Sequence, residues 1–189
     1  NNTVEKLEKY VMLAPKLRTY EKREVYPLTG SQKGIFAECS KNPESTVYNI
    51  PFLFELDPAV DTRKLSDAIA RMVSAHSYLL TQVYLDDNGE MVQRPGNETF
   101  VPEVIETTNE KFASQKESLV RPFKLEKGRL LRVAIYVTED KKYLFTDFHH
   151  IIADGNSYDI IFEDINKAYM GEKLEKESYL SLIHISEPT

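Results

Sequence analysis

From Val25 onward, runs rich in β-branched and aromatic residues alternate with stretches whose apolar residues recur at helical spacing. The two periods mark strands and helices, so the chain reads as a packed domain that interleaves them. Ser31 to Ser40 sets Ile35, Phe36 and Cys39 on one side of a short helix. Val47 to Leu56 is dense in Val, Ile, Phe and Leu and stops at Asp57-Pro58, which predicts a strand. Asp61 then stands where it can cap a helix whose Leu65, Ala68, Ile69, Met72, Val73 and His76 share one face. Leu79 to Tyr84 and Met91 to Gln93 flank Asp86-Asp87-Asn88-Gly89, a strong hairpin signal. A weaker strand at Val101 to Ile105 precedes a polar helix over Asn109 to Val120. Leu130 to Val137 and Tyr143 to His150 read as strands around Glu139-Asp140-Lys141-Lys142. A helix from Asn156 to about Tyr169, with Gly171 as its C-cap, closes the series.

This order predicts an α/β (α+β) class, a mixed sheet flanked by helices. Ile50, Phe52, Phe54, Ile69, Val73, Leu131, Val133, Ile135, Leu144 and Phe148 are its expected core. Residues 1–24 read as an N-terminal helix and linker: Val4, Leu7, Tyr10 and Val11 have helical spacing and Pro15 stops it. Residues 25–179 form the folded unit. Residues 180–189 neither complete an element nor resemble a natural terminus, so they read as a non-native tail. His184 within them receives no functional weight, and the natural protein is expected to be longer.

Composition narrows the function classes. With 189 residues, 41% of them hydrophobic, the chain can bury a core and disorder is excluded. Lys and Arg number 24 against 30 Asp and Glu, for a net charge of -6, and no cluster of five basic residues occurs. Nucleic acid is therefore not expected as the main partner. No apolar run is long enough to span a membrane, and the first residues lack the pattern of a secretory signal. A lone Cys39 excludes an intramolecular disulfide and fits a reducing, cytoplasmic setting.

The candidate chemistry is concentrated in Asp147-Phe148-His149-His150-Ile151-Ile152-Ala153-Asp154-Gly155-Asn156-Ser157. Two histidines end a strand and an Asp-Gly opens a helix. Side chains alternate along a strand, so His149 and His150 point to opposite faces, which argues against a shared metal ion. A His titrates near neutrality and can take a proton from an attacking amine or hydroxyl. Gly155 allows close approach by a ligand, and its N–H at a helix start can donate to developing negative charge. No Gly-x-Ser-x-Gly elbow is present, which favours direct acyl transfer over a covalent acyl-enzyme. The competing structural reading makes one histidine a satisfied core residue and Asp154 a helix cap.

These residues carry a family resemblance. His149-His150-Ile151-Ile152-Ala153-Asp154-Gly155-x-Ser157, continued by Ile160-Ile161, resembles the His-His-x-x-x-Asp-Gly motif of nonribosomal peptide synthetase condensation domains. Tyr26-Pro27-Leu28-Thr29-x-Ser31-Gln32-x-x-Ile35-Phe36 resembles the family's opening motif, with Gly34 where an Arg is usual. Ala75-His76-Ser77-Tyr78-Leu79-Leu80-Thr81 resembles its second motif, Arg-His-Glu-x-Leu-Arg-Thr, with Ala75 and Leu80 replacing both arginines.

The resemblance covers about Val25 to Tyr179 and implies the N-terminal lobe of a chloramphenicol acetyltransferase-like fold, lacking its C-terminal lobe. It implies amide formation in a tunnel between lobes, reached by the phosphopantetheine arms of donor and acceptor carrier proteins, with no metal and no directly bound cofactor. It assigns catalysis to His150, a structural ion-pairing part to Asp154, and an N–H beside the thioester carbonyl to Gly155. His149 is expected to be structural, bonded to backbone or to same-face Asp147. Ser157 is expected either to cap the last helix or to line the tunnel. Gln32 is a candidate substrate contact that also suits a supporting place, and Cys39 is expected in the core. The same resemblance leaves open an epimerisation domain, a stand-alone acyltransferase and a non-catalytic binding lobe. The lobe alone is expected to be nearly inactive, because half the site's wall is absent.

Overall fold

The computed structural model describes residues 23–153 and 155–176. The expected N-terminal helix, the tail with His184, and Asp154 lie outside the described residues. Seven strands among these residues form two sheets. The smaller is antiparallel, with β1 (Tyr26–Pro27), β4 (Met91–Arg94) and β3 (Gln82–Leu85) in that order. The larger runs β2 (Asn49–Leu56), β7 (Lys142–His149), β6 (Leu131–Val137), β5 (Glu103–Glu106). It is mixed: β5 lies parallel to β6 and the other pairs are antiparallel. The helices are α1 (Gly30–Lys41), α2 (Thr62–Ala75), α3 (Asn109–Gln115) and α4 (Gly155–Tyr169).

The larger sheet has two unlike faces. Leu131, Val133, Ile135, Leu144 and Phe148 join Ile69, Met72 and Val73 of α2 and Ile161 and Ile165 of α4 in one core. Arg132, Tyr136, Asp147 and His149 alternate with them and face the other side. There Phe112 of α3 stacks on Tyr143 at 4.4 Å and lies 5.0 Å from Tyr136.

Local chemistry explains the boundaries. Asp61 caps α2, its carboxylate accepting from Arg63 N at 2.9 Å and Lys64 N at 3.0 Å. The last helix ends in a Schellman arrangement: Gly171 has φ 88°, its N–H reaches Ala168 O, and Glu172 N reaches Lys167 O. Arg71 also donates to the carbonyls of Ala168 and Glu172, tying α2 to that end. In the β3–β4 turn Gly89 takes φ 78° while Asp86 Oδ1 accepts from Asn88 N and Glu90 N.

Several boundaries differ from the sequence expectations. The polar helix ends at Gln115 and gives way to a 3-10 turn at Lys116–Ser118, because Phe112 is its one buried side chain. Ser77–Leu80 forms another 3-10 turn, so β3 begins at Gln82. Leu80 meets Gly96 closely: a Cβ on Gly96 would collide with Leu80 O. Strand β2 lies at the edge of its sheet. Phe54 is therefore 39% exposed, and Ile50 and Phe52 are only partly buried.

Candidate functional site

The ladder between β2 and β7 ends at the Asn49–His149 pair. His150 then leaves the strand and donates its N–H to Tyr48 O at 2.8 Å. Ile151, Ile152 and Ala153 turn inward and are buried, an apolar plug that fixes the loop from below. Ile152 N closes the turn on His149 O at 3.0 Å. The outcome is a sharp split between neighbours: His149 is 3% exposed while His150 is exposed. The His150 ring meets Tyr48 edge-on, 6.5 Å between centroids.

His149 is held as one neutral tautomer. Ile151 N–H donates to its Nδ1 at 3.2 Å, so the ring proton sits on Nε2, which points at Cys39 Sγ 3.6 Å away. Burial first, then the charges of His150 and Arg132, lower its pKa from 6.5 to about 4. Burial, and then Glu38, push the Cys39 thiol up, so this pair is a packed thiol and a neutral imidazole.

Behind His149 lies a layered support. Phe123 meets the ring edge-on at 5.7 Å, and the Arg132 guanidinium sits 3.7 Å over the Phe123 ring. Arg132 Nη1 and Asn49 Nδ2 both donate to Asp147 Oδ2 at 2.8 Å. Asp147 is completely buried, and burial raises its pKa against the pull of Asn49 and Arg132. Asn49 and Arg132 also donate to Arg121 O, and Arg132 to Pro122 O, which seats the segment bearing Phe123. His149 is thus bonded to backbone, and Asp147, on the same face, is taken by Arg132 and Asn49 instead.

Gln32 lies inside the protein. With Thr29 it completes a capping box at the start of α1, Thr29 N donating to Gln32 Oε1 at 3.0 Å. Its Nε2 donates to Ile151 O at 3.0 Å. At 5% exposure and bonded to Ile151 O, it stands in the supporting place that its motif also suits.

Gly155 opens α4 and is exposed, with nothing within 4 Å of where a Cβ would stand. Ser157 is half-buried within the first helical turn, because the helix starts two residues earlier, so it does not occupy the cap position. Tyr158 O–H donates to Ala153 O at 3.3 Å, joining the helix to the plug. His76, expected on the apolar face of α2, stands at its C-cap and is buried, its Nε2 2.8 Å from Asp164 Oδ2 on α4. Burial raises the Asp164 pKa, but the bonds from His76 and Lys167 outweigh it and hold the carboxyl below its ordinary value.

The structure brings His149, His150 and Gln32 to one loop and sets Gly155 and Ser157 at the start of the following helix. Arg132, Asn49 and Phe123 escaped the sequence analysis, since none lies in a recognisable motif. Thr29 did have a signal, the Thr-x-x-Gln spacing of a capping box.

Among the described residues no helix is long and apolar enough to cross a membrane. A family model described as "Condensation domain" matches residues 22–184. The chain is 33% identical over 160 residues to surfactin synthase subunit 2 of Bacillus subtilis, covering 84% of this chain and 4% of that protein. It is 35% identical over 154 residues to tyrocidine synthase 3 of Brevibacillus parabrevis, covering 80% of this chain and 2% of that protein. The fold is similar to the starter condensation domain of rhizomide synthetase, with TM-score 0.71 and 21% identity, covering 86% of this chain and 43% of that one. The condensation domain of the monacolin K polyketide synthase gives TM-score 0.74 at 19% identity, covering 85% and 38%. The chain therefore spans a small part of those synthases and less than half of those solved domains. A buried and an exposed histidine on one strand end, in the fold of these domains and under a family model that spans most of the chain, identify it: this chain belongs to the condensation domain family.

Proposed function

We propose that this chain is the N-terminal lobe of a domain that forms an amide between a carrier-bound acyl or peptidyl thioester and a carrier-bound amine. The observation that carries the reading is the split at the end of β7, with His149 neutral and packed while His150 stands in the open beside it. The amine nitrogen attacks the thioester carbonyl, a C–N bond forms and the C–S bond breaks. The proton lost by nitrogen passes through the His150 imidazole to the departing thiol. The N–H of Gly155, in the first turn of α4, has no partner within its own helix and suits the oxygen that turns negative during attack. The ion-pairing part of Asp154 rests on the family resemblance alone and stays part of this proposal.

The partners in this reading are two carrier proteins, whose phosphopantetheine arms tether the substrates, and the C-terminal lobe that closes the cleft. No diffusible cofactor enters the reaction. The single half-buried thiol of Cys39 supports a reducing, cytoplasmic setting.

The test uses the domain completed with its natural C-terminal lobe. Donor and acceptor carriers are loaded, and the amide product is followed by intact-protein mass spectrometry for wild type and His150→Ala. Product is expected to fall at least about tenfold in the variant at equal folding. Undiminished product removes His150 from the chemistry. No product, with deuterium exchange at the donor α-carbon, points instead to epimerisation. The isolated 189-residue chain is expected to give little product.

A further inference from the structure

Gln93 lies on β4, outside every segment that resembles a family motif, and is completely buried. Its amide forms a reciprocal pair with that of Gln32: Gln32 Nε2 donates to Gln93 Oε1 at 3.0 Å, and Gln93 Nε2 donates to Gln32 Oε1 at 2.8 Å. Gln93 Nε2 also reaches Pro27 O on β1 at 3.1 Å. From Gln32 the chain of bonds continues to Ile151 O. Ile151 is thereby held at both ends, its N–H by His149 and its C=O by Gln32. It is the residue that follows His150.

We propose that Gln93 is a positioning residue for His150, acting through Gln32 to hold the motif loop against the smaller sheet; the inference rests on the catalytic reading of His150 above. The chemistry calls for an amide on both sides. Each head must donate and accept at once, and no charge is tolerated at this depth. A glutamate at position 93 would set acceptors against Pro27 O and Gln32 Oε1, and a methionine would fill the space with neither donor nor acceptor. Half-satisfied buried pairs are costly, so losing one amide frees the other from its geometry.

The experiment uses the completed domain carrying Gln93→Met, Gln32→Met, both together, and Gln93→Glu. Hydrogen exchange of the segment Ile151–Ala153 is compared with that of β6, and kcat and KM are measured with saturating carriers. For Gln93→Met the loop is expected to exchange about tenfold faster while β6 is unchanged. Its kcat should fall at least about tenfold with KM within about twofold. The double variant should be no slower than Gln32→Met, because the two amides act as one unit. Gln93→Glu should recover toward wild type as acidification restores a donor proton, and Gln93→Asn, an uncharged amide one methylene short of Gln32, is the variant to use if the methionine fails to fold, its loop loosening in the same direction. A folded variant with wild-type loop exchange overturns the proposal, as does a loosened loop with undiminished kcat, or additive losses in the double variant. A wild-type domain that makes no product and exchanges no donor α-proton sinks the catalytic reading instead, and the hydrogen exchange of the loop then decides the amide lock alone.

Discussion

The N–H of Ile151 donates to Nδ1 of His149 at 3.2 Å, so the turn after the strand fixes the tautomer of the residue two places before it. Protonating the ring would break that bond and place a charge in a buried site. The unfolded chain takes up this proton near pH 6.5 and the folded chain near 4. Because the folded pKa is depressed, the contribution is full above pH 6.5 and is lost as the pH falls toward 4, by about 3 kcal/mol. Asp147 acts in the opposite sense, since its raised pKa means that acidification relieves a buried charge. Urea unfolding of wild type and His149→Gln between about pH 7 and 4.5 isolates the His149 part. The stability gap between the two should narrow on acidification, and parallel curves would remove His149 as the cause.

The neighbouring histidines should respond very differently to truncation. His150→Ala removes an exposed side chain and should shift stability by less than about 0.5 kcal/mol. His149→Ala empties a packed site lined by Cys39 and Phe123 and should cost about 2–4 kcal/mol. Denaturant midpoints measured side by side decide it, and equal losses would contradict the buried-and-exposed split.

Arg132 and Asp147 are expected to behave as one unit. Arg132→Met leaves a carboxylate in the interior without its cation, held by the neutral donors of Asn49 and the Ile50 backbone, and should cost about 3 kcal/mol. Adding Asp147→Leu should restore much of the loss, because the stranded charge goes with it. A double-mutant cycle with no coupling would show that the pair contributes nothing beyond packing.

Thr146 offers a gain. Its Oγ1 is buried and has no hydrogen-bond partner among the described residues. Thr146→Val keeps the shape and drops the unsatisfied hydroxyl, so it should stabilise by about 1 kcal/mol and raise Tm by roughly 2–4 °C. A lower Tm in calorimetry would mean that the hydroxyl is satisfied after all.

Two glycines should give opposite signs. Gly34 is exposed on helix α1 with nothing within 4 Å of a would-be Cβ, and Gly34→Ala should stabilise by about 0.5–1 kcal/mol. Gly96→Ala would drive a methyl into the Leu80 backbone and should cost about 1–3 kcal/mol. Thermal unfolding of both variants reads the two signs directly.

What the sequence made legible follows from where the forces are local. The stripe of α2, the cap at Asp61, the turn at Gly89 and the stop at Gly171 all depend on residues a few places apart, and each stands where its pattern indicated. The opposed histidines were equally readable, because strand alternation is geometric. The edge position of β2 was not readable, since a run of Ile, Phe and Leu looks the same at an edge as in the middle of a sheet. The supports of the site were hidden for another reason. Gln32 and Gln93 are 61 positions apart, and Asn49 and Asp147 are 98 apart, so no spacing rule links them. Gln32 was visible within its motif, but its buried place emerges only when the two sheets come together.

That separation has a consequence for how the lobe comes into being. The strand that leads into the two histidines pairs on one side with β2, from 86 (Leu56 with Lys142) to 100 (Asn49 with His149) positions earlier, and on the other with its hairpin neighbour. The hairpin can close within microseconds, whereas the long-range pairing must first overcome the entropy of a large loop. On a ribosome, β2 therefore waits as an unpaired apolar strand until β7 has been synthesised. The same register that brings the ladder to its end at His149 leaves that apolar strand exposed until it docks, and a slower refolding step should accompany its docking.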